Sequence, residues 1–296
     1  MTIDQLMIDA IDLHVHGAPE PIEGERRVDT FKLAQQAKEA GMKAVVIKSQ
    51  RFGTGTLVWL VNRLVNSPIL VGSLCLNRDA GGLNPDIVET QAKAGAKVIW
   101  LPTISAAAHP YRAKTKGKAN GRKGFGKEPD KGISIIDTEG KLVPEMVEVL
   151  EVIRRNKLVL ATGHVSKAEV FAITNAALRQ NVGVIITHPL AGPTGPLLTI
   201  EEAKDLASKG AYIEFLMCFC MPRTPVMLMS PGKMVDSIKT LGPEHCVLAT
   251  DFGQDFNPPP TEGFRMMLAT MLKSGLSEDE LRVLVKVNPA RLLDLS

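Results

Sequence analysis

The residues of this sequence whose types and positions suggest chemistry are its histidines and one aspartate. The histidines are His14, His16, His109, His164, His188 and His245. Four of them close short apolar runs: His14 and His16 in Asp-Leu-His-Val-His, His164 in Ala-Thr-Gly-His, and His188 in Ile-Thr-His-Pro. Asp251 closes another such run, in Leu-Ala-Thr-Asp. Imidazole nitrogens and a carboxylate oxygen form a ligand set that suits zinc or a similar divalent metal.

The joint position of these five residues is the argument for a shared site. A histidine at a strand end is ordinarily a hydrogen-bonded structural residue, and an aspartate after a strand commonly forms a turn or cap. Here, however, five such residues stand at the same end of four candidate strands. A spacing of two also puts His14 and His16 on the same face of a strand. We therefore predict one metal site at which these strand ends converge.

The elements that would position them are eight short aliphatic segments that alternate with helical patterns. Continuous aliphatic runs are typical of parallel strands covered on both faces. Capping boxes that begin at Ser166, Thr199 and Ser277 mark helix starts between them. The predicted strands are Ile11–Val15, Ala44–Lys48, Ile69–Leu76, Lys97–Leu101, Leu158–Thr162, Val182–Thr187, Ala211–Met217 and Cys246–Thr250.

This alternation predicts an α/β fold, a single (β/α)8 TIM barrel domain over residues 1–296. The alternative is an open doubly wound sheet. No Gly-rich phosphate-binding fingerprint follows the first strand, which argues against the dinucleotide-binding version of that alternative. In a TIM barrel the carboxyl ends of all strands meet at one rim, where active sites lie.

A basic segment, residues 112–131, interrupts the alternation after the fourth strand. It holds eight basic residues, four glycines and only two acidic residues. Such charge runs are ordinarily solvated loops, and the alternative is a lid that attracts an anionic substrate. An RNA-binding segment would interleave aromatic residues with the cations, but only Phe125 within the segment and Tyr111 just before it are aromatic.

Composition narrows the classes of protein further. The formal net charge of +3 over 296 residues does not by itself indicate a nucleic-acid or membrane partner. The four cysteines lack disulfide-framework spacing, and we expect buried thiols, with Cys218 and Cys220 on one face of the seventh strand. No export signal or bilayer-length apolar run is present. We expect a cytoplasmic protein with a small-molecule substrate, and pairing into a homo-oligomer stays open.

The motifs together resemble the amidohydrolase superfamily. That family carries His-x-His after strand one, single histidines after strands five and six, and an aspartate after strand eight. The closing Asn288–Leu293 (Asn-Pro-Ala-Arg-Leu-Leu) is also similar to its C-terminal helix start. The resemblance covers nearly the whole chain by order and spacing, and it identifies a superfamily rather than a substrate.

The resemblance implies roles for the site residues. His14, His16 and Asp251 would bind metal, and His164 would complete a one-ion site or join a second ion with His188. Asp251 would accept a proton from metal-activated water, and His188 would alternatively donate to the developing oxyanion. The implied function is a metal-dependent hydrolase that cleaves a C–N or C–O bond (amide, cyclic amide, lactone or ester) of a small, anionic substrate. Zinc is expected, with manganese or iron as alternatives, as one or two ions.

The sequence departs from the family at strand four. Binuclear members place a bridging carboxylated lysine or glutamate there, whereas this strand ends in Trp100-Leu-Pro-Thr-Ile-Ser. Lys48, which ends strand two, has three alternatives: a carboxylated bridge, an ammonium that binds a substrate anion, or a rim lysine that reaches solvent. Without a bridge, a one-ion site is favoured.

Three other residues are candidates for the substrate side. Glu214, amid apolar neighbours on strand seven, has either a site role or a structural ion pair. Arg51 follows strand two and could meet a substrate anion. His109 reaches the site if the basic segment folds over it, and is otherwise a surface histidine. His245 precedes strand eight and belongs at the opposite end of the barrel.

Two competing functions stay open at the sequence level. One is a metal-dependent decarboxylase of a small carboxylic acid, which the cationic Lys48, Arg51 and basic segment would suit. The other, from a different class, is a non-catalytic barrel that binds metal or RNA. A phosphoesterase would need more acidic ligands than the sequence offers.

Overall fold

Eight parallel strands form the centre of the molecule. The computed structural model describes residues 2–20, 25–109, 132–192, 194–222 and 228–295. Neighbouring strands pair in chain order, as a (β/α)8 barrel requires. Every predicted strand is confirmed, with ends that differ by at most two residues. The strands are β1 (Ile11–Val15), β2 (Ala44–Ile47), β3 (Leu70–Cys75), β4 (Ala96–Trp100), β5 (Val159–Ala161), β6 (Val184–Ile186), β7 (Tyr212–Leu216) and β8 (Cys246–Ala249).

Helices surround the strands and cover their outer faces. The predicted capping boxes at Ser166, Thr199 and Ser277 are all present, each with reciprocal side-chain to backbone hydrogen bonds. The described helices are α1 (Ile3–Met7), α2 (Thr30–Glu39), α3 (Gly55–Leu64), α4 (Pro85–Lys93), α5 (Pro144–Arg155), α6 (Lys167–Leu178), α7 (Ile200–Ser208), α8 (Pro231–Leu241), α9 (Pro260–Lys273), α10 (Glu278–Arg282) and α11 (Asn288–Leu293). None of the helices in the described ranges has the length and apolar character needed to cross a bilayer.

Backbone hydrogen bonds at the rim join the last strand to the first. The amide of Asp251 donates to the carbonyl of His14, at 2.8 Å, and the amide of His16 donates to the carbonyl of Phe252, also at 2.8 Å. Val15 and Phe252 form a parallel bridge between these bonds. The closing seam of the barrel therefore runs through the predicted metal-binding residues.

A buried carboxylate reinforces this seam from below. Asp12, on β1, accepts hydrogen bonds from the hydroxyl and the amide of Thr250, at 2.6 and 3.1 Å. It also accepts one from the amide of His14, at 3.2 Å. One side chain thus fixes the ends of β1 and β8 relative to each other.

The chain after β7 differs from the prediction. Cys218 and Cys220 were expected on one face of the seventh strand, but β7 ends at Leu216 and both lie in a 3-10 helix, Met217–Cys220. The ladder between β7 and β8 ends at Leu216, so the chain turns there, and the amide of Cys218 donates to Thr250 across the gap. All four cysteines are buried and free, as predicted.

The C-terminal helix is confirmed at its predicted start. Asn288 begins α11, and its side-chain amide donates to the carbonyls of Pro243 and Cys246, at 2.9 and 2.7 Å. These bonds tie the end of the chain to the amino end of β8. The basic segment 112–131 lies outside the described residues, so its form and role stay a prediction.

Candidate metal centre

Three of the five predicted ligands converge at the rim. The Nε2 atoms of His14 and His16 lie 3.4 and 3.1 Å from Oδ1 of Asp251. One ligand atom from each of these three residues lies within 4.8 Å of the ligand atoms of the other two. Both histidines are buried, while the Asp251 side chain remains 18 % exposed and reaches the solvent side of the group.

Backbone conformation brings Asp251 to the histidines. Asp251 has a φ of 53°, in the left-handed region that few residues other than glycine occupy. Two residues later, Gly253 has a φ of 141°, and a Cβ there would overlap the carbonyl of His16. The loop after β8 can therefore lie directly against the end of β1 only with glycine at this position.

Glu214 contacts the opposite side of the His14 ring. Its Oε1 lies 3.0 Å from Nδ1 of His14, and both side chains are almost fully buried. Burial raises the pKa of Glu214 to about 7. A proton on Nδ1 shared with this carboxylate leaves the Nε2 lone pair directed at the candidate metal position, the usual arrangement behind a metal-binding histidine.

Lys48 points into the barrel and not into solvent. It is only 2 % exposed, and its Nζ lies 2.9 Å from Nε2 of His14. The same atom lies 5.1 Å from the centre of the Trp100 ring. Of the three alternatives drawn from the sequence, a rim lysine that reaches solvent is inconsistent with this position.

Trp100 stands at the end of β4, where the sequence offers no bridging side chain. It is the last residue of β4, is almost fully buried, and its ring centre lies 5.4 Å from that of His14. Its indole and the Lys48 ammonium together fill the side of His14 that faces β2 and β4. No sequence pattern indicated this arrangement, apart from the absence of a bridging side chain at the end of β4.

The other predicted histidines form a row beside the three-ligand group. His109, His164 and His188 are buried, and the ring of His164 lies 5.1 Å from each of the other two. The ring of Phe219 packs edge-on against His188 at 5.2 Å. The surface alternative for His109 is wrong, because this side chain packs against His164 in the interior.

Arg51 and His245 lie outside the three-ligand group. The guanidinium of Arg51 pairs with the carboxylate of Asp79 on the neighbouring loop. His245 lies in the turn before β8, at the amino ends of the strands, so its predicted distance from the site is confirmed. Sequence reasoning missed Cys218, whose Sγ lies 3.1 Å from Oδ2 of Asp251.

The protonation states suit a cation ligand set. Burial, and then the Lys48 charge, lower the pKa of His14 to about 3. Burial likewise lowers the pKa of His16 and of His188 to about 4. Burial would raise the pKa of Asp251, but its interactions with His14, His16 and the Lys48 ammonium outweigh burial and hold that pKa well below its usual value. Neutral imidazoles and an ionised carboxylate are the forms that bind metal.

Unpaired polar atoms also occur beside this group. Within the described ranges, Nδ1 of His16, Nδ1 of His164, Nδ1 of His188 and Oε2 of Glu214 are among the buried atoms without a hydrogen-bond partner. Buried polar atoms are nearly always paired, so these atoms are available to a ligand. The fit of a divalent cation rests on His14, His16 and Asp251, whose donor atoms lie within 4.8 Å of one another.

Solved structures of known proteins share this fold. An amidohydrolase from Pseudomonas aeruginosa matches with a TM-score of 0.66 and 13 % identity, over 99 % of this chain and 98 % of that one. The probable dipeptidase PvdM from the same organism matches with 0.67 and 11 %, over 98 % and 96 %. A putative 2-pyrone-4,6-dicarboxylic acid hydrolase from Pseudomonas putida matches with 0.57 and 13 %, over 98 % of both chains.

At these identities the likeness shows the fold alone, a (β/α)8 barrel, as the alternation of strands and helices predicted. Residues 9–214 match the family of unknown function DUF6282, and the chain belongs to that family. The matched range contains the four site histidines of β1, β5 and β6, and ends at Glu214. No curated protein sequence matches the chain.

Proposed function

We propose that this chain is a metal-dependent hydrolase that cleaves a C–N or C–O bond of a small, anionic substrate. The observation that carries the proposal is the convergence of Nε2 of His14, Nε2 of His16 and Oδ1 of Asp251, with Glu214 behind His14. Two buried imidazoles and an ionised carboxylate at one barrel rim serve no evident packing purpose. They are instead a ligand set with an open side.

His14, His16 and Asp251 would hold the ion, and zinc suits their nitrogen and oxygen donors, with manganese and iron as alternatives. The ion would supply Lewis acidity to water and to the scissile carbonyl. Glu214 keeps His14 in the required tautomer. Asp251, the most exposed ligand, is the group that can take a proton from the attacking water and return it to the leaving group.

One ion is the stoichiometry that we propose. A second ion would need a bridging side chain, and β4 ends instead in Trp100, whose ring lies 5.4 Å from that of His14. His164 and His188 stand outside the 4.8 Å group, in a row with His109. In this proposal these imidazoles donate to a substrate carbonyl and to its developing oxyanion.

The Lys48 ammonium supports an anionic substrate. A buried lysine is costly without an anion nearby, and Lys48 adjoins the open side of the metal ligands. Structures that share this fold are named a probable dipeptidase, which implies cleavage of a peptide C–N bond, and a putative 2-pyrone-4,6-dicarboxylic acid hydrolase, which implies an acidic substrate. His109 and Arg51 are further substrate contacts in this proposal.

The four free thiols support a reducing, cytoplasmic location.

The first experiment is metal content by plasma mass spectrometry on protein purified without chelator. We expect about one equivalent of a divalent metal in the wild type and its loss in His16→Asn. His245→Asn, at the opposite end of the barrel, is the matched control and should keep its metal. Folded wild-type protein that neither carries nor regains metal would remove the basis of the proposal.

The buried ammonium beside the ligands also favours one competitor, a metal-dependent decarboxylase. The two reactions are distinguished by the products that the protein forms when it is assayed against a panel of small amides, lactones and carboxylic acids. A hydrolase incorporates ¹⁸O from labelled water into the product acid, whereas a decarboxylase releases carbon dioxide. Binding of RNA or metal without turnover of any substrate class would favour the non-catalytic alternative.

A further inference from the structure

The thiol of Cys218 contacts the candidate metal-binding carboxylate from outside the ligand group. Its Sγ lies 3.1 Å from Oδ2 of Asp251, in the geometry of an S–H donor to a carboxylate oxygen. Cys218 is 3 % exposed, and its amide donates to the carbonyl of Thr250 at 3.0 Å. Both the backbone and the side chain of Cys218 are therefore bonded to the segment Thr250–Asp251.

Cys218 belongs to a segment that supports several site groups at once. On β7, Glu214 contacts Nδ1 of His14. In the following 3-10 helix, Cys218 contacts Asp251 and Phe219 packs against His188. Residues 214–219 thus form an outer layer behind the site, and Cys218 is the member that reaches the aspartate.

Asp251 is the ligand that needs such support most. Its side chain is 18 % exposed, whereas the two histidine side chains are nearly buried and packed. Its backbone is fixed by the hydrogen bond to His14, but that bond leaves the carboxylate free to rotate about its own torsions. Contacts on both oxygens restrain this rotation: His14 and His16 at Oδ1, and Cys218 at Oδ2.

We propose that Cys218 is a positioning residue for Asp251, which rests on the metal site proposed above. By donating to Oδ2, the thiol turns Oδ1 alone towards His14 and His16, so that Oδ1 is the oxygen that would hold the ion. Each carboxylate oxygen has two lone pairs, so Oδ2 keeps one for a proton. A neutral thiol gives this orientation without adding a charge that would compete with the ion.

The test compares Cys218→Ala with Cys218→Ser, which keeps a hydroxyl donor. Cys220→Ala is the matched control, since that thiol lies in the same turn and is also buried. The readout is the zinc dissociation constant, measured by chelator competition. Outer partners of metal ligands typically change affinity by about 10- to 100-fold. We expect Cys218→Ala to weaken binding roughly tenfold, with near wild-type affinity for the serine variant and the control.

Three results would overturn the inference while leaving the metal site intact. Cys218→Ala could bind zinc as tightly as the wild type, Cys218→Ser could bind zinc as weakly as Cys218→Ala, or Cys220→Ala could lose as much zinc affinity as Cys218→Ala. A fourth result comes from the cobalt-loaded wild type. A sulfur-to-cobalt charge-transfer band that disappears in Cys218→Ser would make the thiol a direct ligand. Wild-type protein that binds no metal would instead contradict the proposed function itself.

An infrared measurement keeps the inference testable if Cys218→Ala does not fold. The S–H stretching band of Cys218 is assigned in the metal-free wild type by its absence in Cys218→Ser. We expect this band at the lowered frequency of a hydrogen-bonded thiol and expect it to rise in Asp251→Ala, which removes the acceptor. A band that Asp251→Ala leaves in place would rule out the contact on which the inference depends.

Discussion

At the scale of single residues, His14 is the side chain on which the site depends. Its Nδ1 faces Glu214, and its Nε2 faces both Asp251 and the ammonium of Lys48. An ion bound to Nε2 must therefore share that space with a cation, or the lysine must change its chemical form. The three alternatives for Lys48 reduce to two, a substrate-binding ammonium and a carboxylated bridge.

Lys48→Met separates these two roles by the sign of its effect on metal affinity. Removing an ammonium beside a bound cation relieves charge repulsion, so zinc should bind roughly tenfold more tightly. Hydrolysis of an anionic substrate should fall, because the substrate loses its counter-charge. Lys43→Met, at the exposed amino end of the same strand, should change neither quantity. Titration with a competing chelator gives the affinity.

The opposite result has an equally definite meaning. If Lys48 is a carboxylated bridge, Lys48→Met weakens metal binding and lowers the ion count from two to one. In that case added bicarbonate should raise the metal content of the wild type but not of the variant. The one-ion proposal would then be withdrawn.

At the scale of elements, hydroxyl and carboxylate side chains join neighbouring strand ends just below the site. Thr162 and Thr187 link the ends of β5 and β6: the Thr187 amide donates to the Thr162 hydroxyl at 2.9 Å. The Thr187 hydroxyl in turn accepts from the amide of Gly163, next to His164. Asp12 and Thr250 do the same for β1 and β8. These links fix the directions in which the following histidines and Asp251 leave the barrel.

Thr250→Val tests the link at the seam. The change removes a hydroxyl that donates to Asp12 and accepts from the amide of Phe252, and keeps the shape of the side chain. Leaving buried partners unpaired should lower the free energy of unfolding by about 1–3 kcal/mol in urea denaturation. Thr261→Val is the control, because its buried hydroxyl has no partner among the described residues, so its loss should cost little. Equal effects of the two variants would contradict the link.

Sequence patterns predicted the strands and capping boxes because these features are local. Aliphatic runs such as Val45–Ile47 are buried on both faces, and a Ser or Thr three residues before Glu marks a helix start wherever it occurs. The rim position of His14, His16 and Asp251 followed from strand order alone. The contacts of Lys48, Trp100 and Cys218 did not, because side-chain direction inside a barrel and the turn after β7 depend on non-local packing.

At the scale of the whole molecule, the site lies on the join between the first and last strands. Asp12 and Thr250 are 238 residues apart in sequence and share a hydrogen bond. The candidate ligands follow the same arrangement, with His14 and His16 from β1 and Asp251 after β8. An ion bound here would connect the two ends of the barrel, so its effect should extend to the stability of the whole fold.

Metal removal is therefore expected to destabilise the protein globally and to loosen the seam first. A ligand at 100 times its dissociation constant adds about 2.7 kcal/mol to the free energy of unfolding, so zinc should raise the melting temperature and a chelator should lower it. The shift should disappear in His16→Asn and persist in His245→Asn. In hydrogen exchange, the amides of His16 and Asp251, which form the seam, should gain more protection with zinc than those at the join of β3 and β4. A gain in protection that is no larger at the seam than at the join of β3 and β4 would place the ion somewhere other than between the first and last strands.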